Sequence, residues 1–360
     1  MGVKRRLLIN GRFLEGARTA VNDVAFSLTT QLVKESGGWD ITVVLPESAR
    51  PEKPVPDWPI QRFGLGRGIG WEQVSLPSLR HDGVTIGFFN TVPLRGRGYV
   101  TMLHDTHVFD APESYANSVA LWRRLLSRRA GRSDNKLLTV SNHAKESLLR
   151  QGIGRAADIG VVPNGPGHAS HAPPDAKVLS SLKLARGSPF CLAQASLLPH
   201  KNLQVLLRAF AQPELSDMRL VLFGGVNTVA LRAAGFEVRE NVICAGRVSD
   251  SALAALYTAA LAVCVPSKAE GFGLPALEAM ALGTPLIISP CGALPEVAGK
   301  AALIAQPDDP SAWCSAINML ANDTRLHARL VAAGRAQAEC FTWQKAGAAV
   351  LNHLDRWYSG

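Results

Sequence analysis

The stretch VPSKAEGFGLPALEAMALGTPLIIS, residues 265–289, decides the fold of this chain. An apolar run ends at Pro266, a loop with two glycines follows, and Pro275 stands where the first turn of a helix needs no backbone donor. Gly283 suits the end of that helix, and TPLIIS predicts a further strand. This order leaves backbone amides at a helix N-terminus, where unpaired donors and the helix dipole favour an anion. The stretch therefore predicts an α/β sheet with a diphosphate-sized anion site.

The candidate binding groups of this stretch are two carboxylates and four consecutive amides. Glu270 on the loop and Glu278 in the early helix are eight residues apart, so we expect them at different depths of one pocket. Two carboxylates do not neutralise a diphosphate, whereas they accept hydrogen bonds from sugar hydroxyls. The alternative is an ordinary strand, loop and helix whose glutamates face solvent. The amides expected to hold the anion are those of Gly271, Phe272, Gly273 and Leu274.

Outward from this stretch, short apolar runs alternate with helical patterns along the whole chain. Strands that alternate with helices indicate parallel sheets covered on both faces. The alternation runs through the first half and starts again in the second, which predicts two doubly wound domains. The predicted strands are 7–9, 41–46, 84–89, 99–105, 136–141, 189–196, 218–225, 241–246, 261–267 and 284–289, and the predicted helices include 21–33, 203–210, 251–260, 275–282 and 311–321.

The domain boundary is predicted at NGPGHASHAPPDA, residues 164–176, which holds three prolines and two glycines. We expect domains at 1–166 and 177–340, joined by a linker at 167–176, with a final helix in 341–360 that packs back toward the first domain. In open α/β sheets the ligand lies beyond the carboxyl ends of the strands, so two such domains predict a cleft between them as the active site.

Composition excludes several classes of protein. With 360 residues, 47% of them hydrophobic and 19% charged, the chain is too apolar to be disordered. The longest apolar stretch, 252–266, falls short of the roughly 20 residues that span a bilayer, and the first ten residues lack the apolar core of a signal peptide. The six cysteines lie 20 to 53 residues apart, which is not the spacing of a structural zinc site. These features predict a cytoplasmic protein with reduced cysteines.

Positive charge is concentrated in the first half of the chain. Residues 1–165 carry 22 Lys and Arg against 15 Asp and Glu, whereas residues 166–360 carry 16 against 14. The segment LWRRLLSRRAGR, residues 121–132, interleaves arginines with apolar residues, a pattern that fits either an anionic membrane surface or a solvated helix. No nucleic-acid partner is expected, because none of the usual modules is present. The arginines offered to the membrane are Arg123, Arg124, Arg128 and Arg129.

The stretch 265–289, and more widely residues 245–309, resembles the E-x7-E signature of glycosyltransferase family four, retaining enzymes of the GT-B fold. Three further segments are similar to elements of that family: LAQASLLPHKNL (192–203), TMLHDTHVFDAPESY (101–115) and the segment from LLTVSNH to VVPNGP (137–166). The opening INGRFL resembles a subset rich in mannosyltransferases. The resemblance implies an α/β GT-B architecture of two Rossmann-like domains that face a central cleft.

The resemblance also implies roles for individual residues. Lys201 matches the lysine that reaches the donor diphosphate, His104 the histidine beside the donor sugar, and Glu270 the carboxylate that anchors that sugar. Glu278 is expected on the ribose hydroxyls. The residues implied in donor binding are Gly16, Arg247, Val248, Gly271, Phe272, Gly273, Leu274 and Glu278.

The implied reaction is the transfer of a hexose from a nucleotide-diphospho-sugar to a glycan or polyprenyl-linked saccharide, with retention of configuration, in polysaccharide biosynthesis. Mannose from GDP-mannose is the donor that the subset favours. No DxD carboxylate pair is placed to hold a divalent ion, so neither a metal nor a cofactor is expected. The implied location is cytoplasmic, with docking on the inner face of a membrane as a further expectation.

The sequence departs from the family pattern at two phosphate-binding elements. Ser196 stands where the family usually has arginine or threonine, and histidine precedes Lys201 where arginine is familiar. The diphosphate is therefore expected to meet one guanidinium fewer. In the first loop, Thr19 and Ala20 replace the Arg-Tyr of the subset, although Arg18 is adjacent.

Other functions fit parts of the sequence. A sugar-nucleotide epimerase of the same fold would turn over the donor alone. A nicotinamide-dependent oxidoreductase needs GxGxxG after the first strand, which GRFLEG at 11–16 does not match. His104 and His107 could form a metal site, but HDTH lacks the i, i+4 spacing that aligns two ligands on a helix. Lys201 could instead be a helix-capping lysine on the surface. A sugar-binding protein without enzymatic activity is a further alternative, but it would not need Lys201 together with a phosphate pocket at a helix N-terminus.

Overall fold

The chain divides into two units in a computed structural model, which describes residues 5–15, 19–51, 54–184 and 189–358. The first unit comprises Met1–Gly165 together with Trp343–Gly360, and the second comprises Pro166–Thr342. The sequence predicts the boundary one residue later, at 166/167, and the start of the final segment at 341. Each unit is built on its own parallel sheet.

The first unit holds a seven-stranded sheet in the order β3-β2-β1-β4-β5-β6-β7. Its central strand β1 pairs in parallel on both sides, Leu7 with Ile41 and with Val84. The strands are β1 Arg5–Asn10, β2 Trp39–Leu45, β3 Ile60–Arg62, β4 Val84–Gly87, β5 Tyr99–Met102, β6 Lys136–Thr139 and β7 Ile159–Val161. The helices between them are α1 Ala20–Lys34, α2 Gly68–Val74, α3 His107–Asp110, α4 Asn117–Ala130 and α5 Asn142–Arg150.

The second unit repeats this arrangement with a six-stranded parallel sheet in the order β10-β9-β8-β11-β12-β13. Its strands are β8 Phe190–Gln194, β9 Arg219–Phe223, β10 Val242–Gly246, β11 Ala262–Val265, β12 Leu286–Ile288 and β13 Ala302–Ile304. Its helices are α6 Lys177–Ser181, α7 Leu203–Ala209, α8 Thr228–Ala233, α9 Asp250–Ala259, α10 Leu274–Leu282, α11 Leu294–Ala298, α12 Pro310–Asn322 and α13 Thr324–Ala338.

The last helix, α14 Trp343–Tyr358, belongs to the first unit. It packs against α1 and β7, where Gly160 has its backbone against the ring of His353. The indole Nε1 of Trp39, which is itself buried, donates to Asp355 at 3.0 Å. Burial of a large aromatic ring with its N–H satisfied ties the end of the chain to β2.

Local sequence explains why these elements form where they do. The central strands are mostly apolar and buried on both faces, as expected for a parallel sheet. Several helices begin at a polar cap: the side chains of Thr19, Ser141 and Ser249 each accept from a backbone amide three residues on. The core of the second unit surrounds Trp313, which is buried and donates from Nε1 to Gln306 O at 2.9 Å.

The predicted fold class is confirmed: two doubly wound parallel sheets, each covered by helices. Each predicted strand and helix given above is present, with ends that differ by up to three residues. Three strands were missed, β3, β7 and β13, and each has three residues and lies at a sheet edge. The predicted linker segment contains a short 3-10 helix, His168–His171, that packs on α9 and α10 within the second unit. In the part of the chain that the structure describes, no helix is both long and apolar enough to cross a bilayer.

Candidate active site

The loop before α10 is shaped by two glycines at close backbone approaches. Gly273 has φ +97° and caps α10, and a Cβ there would lie 2.7 Å from Leu294. Gly292 has φ +63°, and a Cβ there would lie 2.5 Å from the carbonyl oxygen of Glu270. Both positions therefore need glycine. The helix runs from Leu274 to Leu282, so it begins one residue before the predicted start, and the four expected amides, those of residues 271–274, lie at its amino end.

Neighbouring loops hold this loop in place at the carboxyl ends of the second sheet. The amide of Ala293 donates to Glu270 O at 2.9 Å, and that of Lys268 to His200 O at 2.7 Å. Asn202, in the left-handed conformation at φ 52°, donates from its side chain to Pro266 O at 3.1 Å and to Pro307 O at 2.7 Å. The backbone around Glu270 is thus fixed by three other loops.

Lys201 and Glu270 are brought into direct contact. Lys201 ends a short 3-10 helix after β8, and its Nζ lies 2.7 Å from Glu270 Oε2. The two side chains are 22% and 11% exposed, so the ion pair is mostly shielded from water. Both residues line one small pocket with Gln194, Ser267 and Pro275. The sequence predicted separate partners for these two groups, whereas the structure pairs them with each other.

Glu278 lies deeper along α10, between α9 and the backbone of Gly167. The hydroxyl of Tyr257 donates to Glu278 Oε2 at 2.9 Å, and a Cβ on Gly167 would lie 1.9 Å from Oε1. Tyr257 is fully buried, and burial, followed by the Glu278 carboxylate, raises its pKa well above the usual value. Tyr257 therefore stays a hydrogen-bond donor. Sequence reasoning missed both neighbours, because they lie 21 and 111 residues from Glu278 in the chain.

Arg247 and Val248 follow β10, at the same edge of the sheet. Arg247 is exposed and lies over Gly225 in the loop after β9, where a Cβ would be 3.2 Å from its Nε. Val248 is half-buried. Gly16, the remaining residue predicted to bind the donor, lies outside the described residues, as does Arg18.

His104 lies at the end of β5 in the first unit, and its side chain is buried. Its Nε2 is 2.8 Å from Phe88 O, and its backbone amide donates to Asn90 Oδ1 at 2.7 Å. A carbonyl only accepts, so Nε2 carries the proton and Nδ1 is left as an acceptor. Burial lowers the pKa of His104, which keeps the ring neutral near pH 7. His107 instead faces Asp105, with 3.6 Å between Nδ1 and Oδ1.

A metal site is not formed by these histidines. The described residues contain no group of three or more His, Cys, Asp and Glu side chains placed to hold an ion. The donor set of HDTH therefore does not fit a metal centre.

A buried polar cluster in the first unit was not predicted. Glu72 on α2 is fully buried, and its Oε1 accepts from Asn10 Nδ2 at 2.8 Å and from Thr91 Oγ1 at 2.9 Å. Arg12 Nη2 donates to Thr91 Oγ1 at 3.0 Å. Asn10 and Arg12 belong to the INGRFL segment singled out in the sequence, but nothing near them in the chain points to Glu72.

A family model described as "Glycosyl transferases group 1" matches residues 177–337. O-antigen chain mannosyltransferase B of Escherichia coli is 30% identical over 272 residues, which covers 72% of this chain and 71% of that protein. MMP alpha-(1->4)-mannosyltransferase of Mycolicibacterium hassiacum is 32% identical over 236 residues, covering 63% of this chain and 55% of that protein. Among solved structures, sucrose-phosphate synthase from Thermosynechococcus elongatus superposes with a TM-score of 0.72 at 18% identity, over 99% of this chain and 100% of that one.

These matches confirm the predicted class: the protein is a glycosyltransferase with the GT-B fold. The chain belongs to the group 1 glycosyltransferases, glycosyltransferase family four, and is similar to the mannosyltransferases among them. The matches therefore support a hexosyltransferase and not the oxidoreductase that was considered as an alternative.

The ion pair between Lys201 and Glu270 predicts a measurable coupling in stability. Lys201→Met leaves a shielded carboxylate without its cation, so the free energy of unfolding should fall by about 1–3 kcal/mol. Adding Glu270→Gln should restore more than half of that loss. Urea denaturation of wild type, the two single variants and the double variant measures both effects.

Lys268→Met is the matched control, because Lys268 pairs with Asp308 where both side chains are well exposed. It should change the stability by less than about 1 kcal/mol. Additive effects of Lys201→Met and Glu270→Gln would contradict the coupling.

Proposed function

We propose that this protein is a retaining hexosyltransferase that moves mannose from GDP-mannose to a glycan or polyprenyl-linked saccharide. The observation that carries the proposal is the set formed by Lys201, Glu270 and Glu278 around the amino end of α10. One cation and a helix N-terminus suit a diphosphate, and two carboxylates at different depths suit sugar and ribose hydroxyls. The choice of mannose is supported by the named activity of the two mannosyltransferase relatives.

Donor binding in this proposal begins with an exchange of partners. A diphosphate at the amino end of α10 competes with Glu270 for the Lys201 ammonium, which is a compact charge on a flexible stem. Once Lys201 turns to the phosphate, the carboxylate of Glu270 is released to accept from hydroxyls of the donor sugar. The ion pair thus holds both groups in place until the donor separates them.

The nucleotide lies beyond the diphosphate. Glu278 accepts from the ribose hydroxyls, and Tyr257 and Gly167 fix the direction of its carboxylate. Arg247 and Val248 flank the base. The first unit supplies the acceptor surface and His104, whose Nδ1 accepts from a hydroxyl of the donor sugar.

The transfer itself follows the course that the resemblance implies. The acceptor hydroxyl attacks on the same face from which the diphosphate leaves, through an oxocarbenium-like state, and a diphosphate oxygen takes the acceptor proton. Negative charge grows on the leaving diphosphate during this step. Lys201 and the amides at the start of α10 stabilise that charge, so they act most strongly in the transition state.

No divalent ion is needed in this scheme, because the ammonium and the helix terminus meet the charge of the leaving group. Initial rates with the full donor should therefore persist in excess EDTA. Complete loss of activity that manganese restores would overturn the metal-independent proposal.

The two glutamates should differ in what they bind. Glu278→Ala removes contacts made equally in ground and transition states, so the donor KM should rise with little change in kcat. Tyr257→Phe should move KM in the same direction by a smaller factor. Glu270→Ala should bind free GDP no more weakly than wild type, since its partner is the sugar and its loss frees Lys201, yet it should impair use of the intact donor.

Lys201→Ala completes the set and should lower kcat by about 10²–10³-fold. Calorimetry with GDP and initial rates with the donor are measured on all four variants. Equal loss of GDP affinity in Glu270→Ala and Glu278→Ala would show that the assigned roles are wrong.

We also propose a cytoplasmic location with docking on anionic membrane through α4. Three of the four arginines are engaged within the protein: Arg124 donates to Val108 O, Arg129 to Leu94 O and Gly96 O, and Arg123 lies over the Tyr115 ring. Arg128 is exposed. It lies on the same face of α4 as Leu121 and Leu125, which are 71% and 49% exposed. This face combines two exposed leucines with an exposed cation, as interfacial helices do.

Docking predicts that this face, and not the whole arginine set, controls binding to vesicles. Arg128→Gln should weaken co-sedimentation with vesicles rich in phosphatidylglycerol by about 1 kcal/mol, and added salt should weaken it further. Leu121→Ser with Leu125→Ser should weaken it more. Arg150→Gln, an equal change of charge at an exposed position on α5, is the control. Co-sedimentation that is the same for wild type and the α4 variants would remove the proposal.

A further inference from the structure

The topology of the first sheet predicts a ligand crevice at the carboxyl ends of its strands. In the order β3-β2-β1-β4-β5-β6-β7, the direction of winding reverses between β1 and β4. Ligands of doubly wound sheets bind beyond such a switch point. The loops that leave these two strands carry Arg12 and the segment Phe88 to Thr91.

Arg12 is held at this crevice from both sides. Its backbone amide donates to Asn10 Oδ1 at 3.2 Å, and Gly11 lies so close to β2 that a Cβ would be 2.7 Å from Leu45. Its guanidinium donates to Thr91 Oγ1 and lies 4.5 Å over the Phe89 ring. A guanidinium fixed in this way loses little freedom when it binds a further group.

The counter-charge of Arg12 does not occupy its hydrogen-bonding groups. Glu72 Oε2 is 3.6 Å from Arg12 Nη2, beyond hydrogen-bond distance, and makes no hydrogen bond within the described residues. The other oxygen of Glu72 is taken by Asn10 and Thr91. Burial raises the pKa of Glu72 and lowers that of Arg12, so both groups are poorly solvated.

The guanidinium of Arg12 therefore has N–H groups that are available to bind a ligand. Among the described residues, the Arg12 side chain donates a hydrogen bond to Thr91 only. Neither its Nε nor its Nη1 is a fully buried polar atom that lacks a partner. The side chain is 15% exposed, which leaves an edge of the guanidinium open to solvent. A planar fork of N–H groups beside an aromatic ring suits an oxyanion that accepts two hydrogen bonds.

We propose that Arg12 binds a phosphate-type oxyanion of the acceptor substrate at the switch point of the first sheet. This inference rests on the proposed function, which gives the diphosphate of the donor its own cation, Lys201, in the second unit. Glu72 balances the charge of Arg12 when the site is empty, and Asn10 and Thr91 hold both groups in register. An acceptor that carries a phosphate or diphosphate is thereby preferred over a neutral saccharide.

The test is a calorimetric titration of the full chain with inorganic pyrophosphate after the donor site has been saturated with GDP. Wild type should still bind pyrophosphate. Arg12→Gln should weaken that binding by about 10-fold or more, the worth of a charge-assisted hydrogen bond. Glu72→Gln, which keeps the size of the side chain and removes the opposing charge, should strengthen it. Arg150→Gln should leave it unchanged.

Opposite effects of the two cluster variants separate binding from a structural role, because loss of structure would weaken binding in both. Melting temperatures of both variants are recorded to show that each folds. No binding to the GDP-saturated wild type, or equal affinity in wild type and Arg12→Gln, would overturn the inference.

The same titrations distinguish a wrong source of the oxyanion from a wrong proposed function. If Arg12→Gln weakens GDP itself by a similar factor, the oxyanion belongs to the donor and the assignment to the acceptor is overturned. If wild type does not bind GDP, the donor assignment fails instead. Titration without nucleotide then still decides on Arg12 through the opposite effects of Arg12→Gln and Glu72→Gln.

Discussion

The ion pair between Lys201 and Glu270 is the interaction on which the arrangement of the second unit's site depends. It joins the loops that leave β8 and β11, the two neighbouring strands at which the winding of that sheet reverses. Backbone hydrogen bonds and two glycines at close approaches bring the loops near enough for this contact. A cation and a carboxylate that satisfy each other can be kept ready without the cost of leaving either charge unpaired in a shielded pocket.

The first unit also places a cation and a carboxylate at the switch point of its sheet, but the contacts between them differ. There too the loop after the first strand supplies a cation, Arg12, which faces a carboxylate, Glu72, across the switch point. In the second unit the carboxylate is partly exposed and touches its cation, whereas Glu72 is fully buried and is bonded to Asn10 and Thr91. In the first unit, the neighbouring residues fix the guanidinium of Arg12 and leave its N–H groups available to a ligand.

Sequence reasoning recovered what local chemistry determines. Pro275 and Gly283 mark the ends of α10, and apolar runs mark the central strands, because these signals lie within the elements themselves. The edge strands β3 and β13 are partly exposed and three residues long, so they carry no such pattern. The partners of Glu278 and Glu72 come from distant parts of the chain, and only the fold brings them together. The hydrogen bonds from Arg124 and Arg129 to backbone carbonyls could not be predicted for the same reason.

The close approach of Gly167 to Glu278 has a consequence for engineering. The segment that follows the unit boundary is part of the wall around the Glu278 carboxylate, and even a methyl group at 167 would overlap Oε1. Chimeras that exchange acceptor specificity between family members should therefore join their parents at Gly165 and Pro166 and again at Thr342 and Trp343, leaving residues 167–171 with the second unit. A crossover a few residues later would place residues of another protein against Glu278, and their effect on this carboxylate could be mistaken for a change in acceptor specificity.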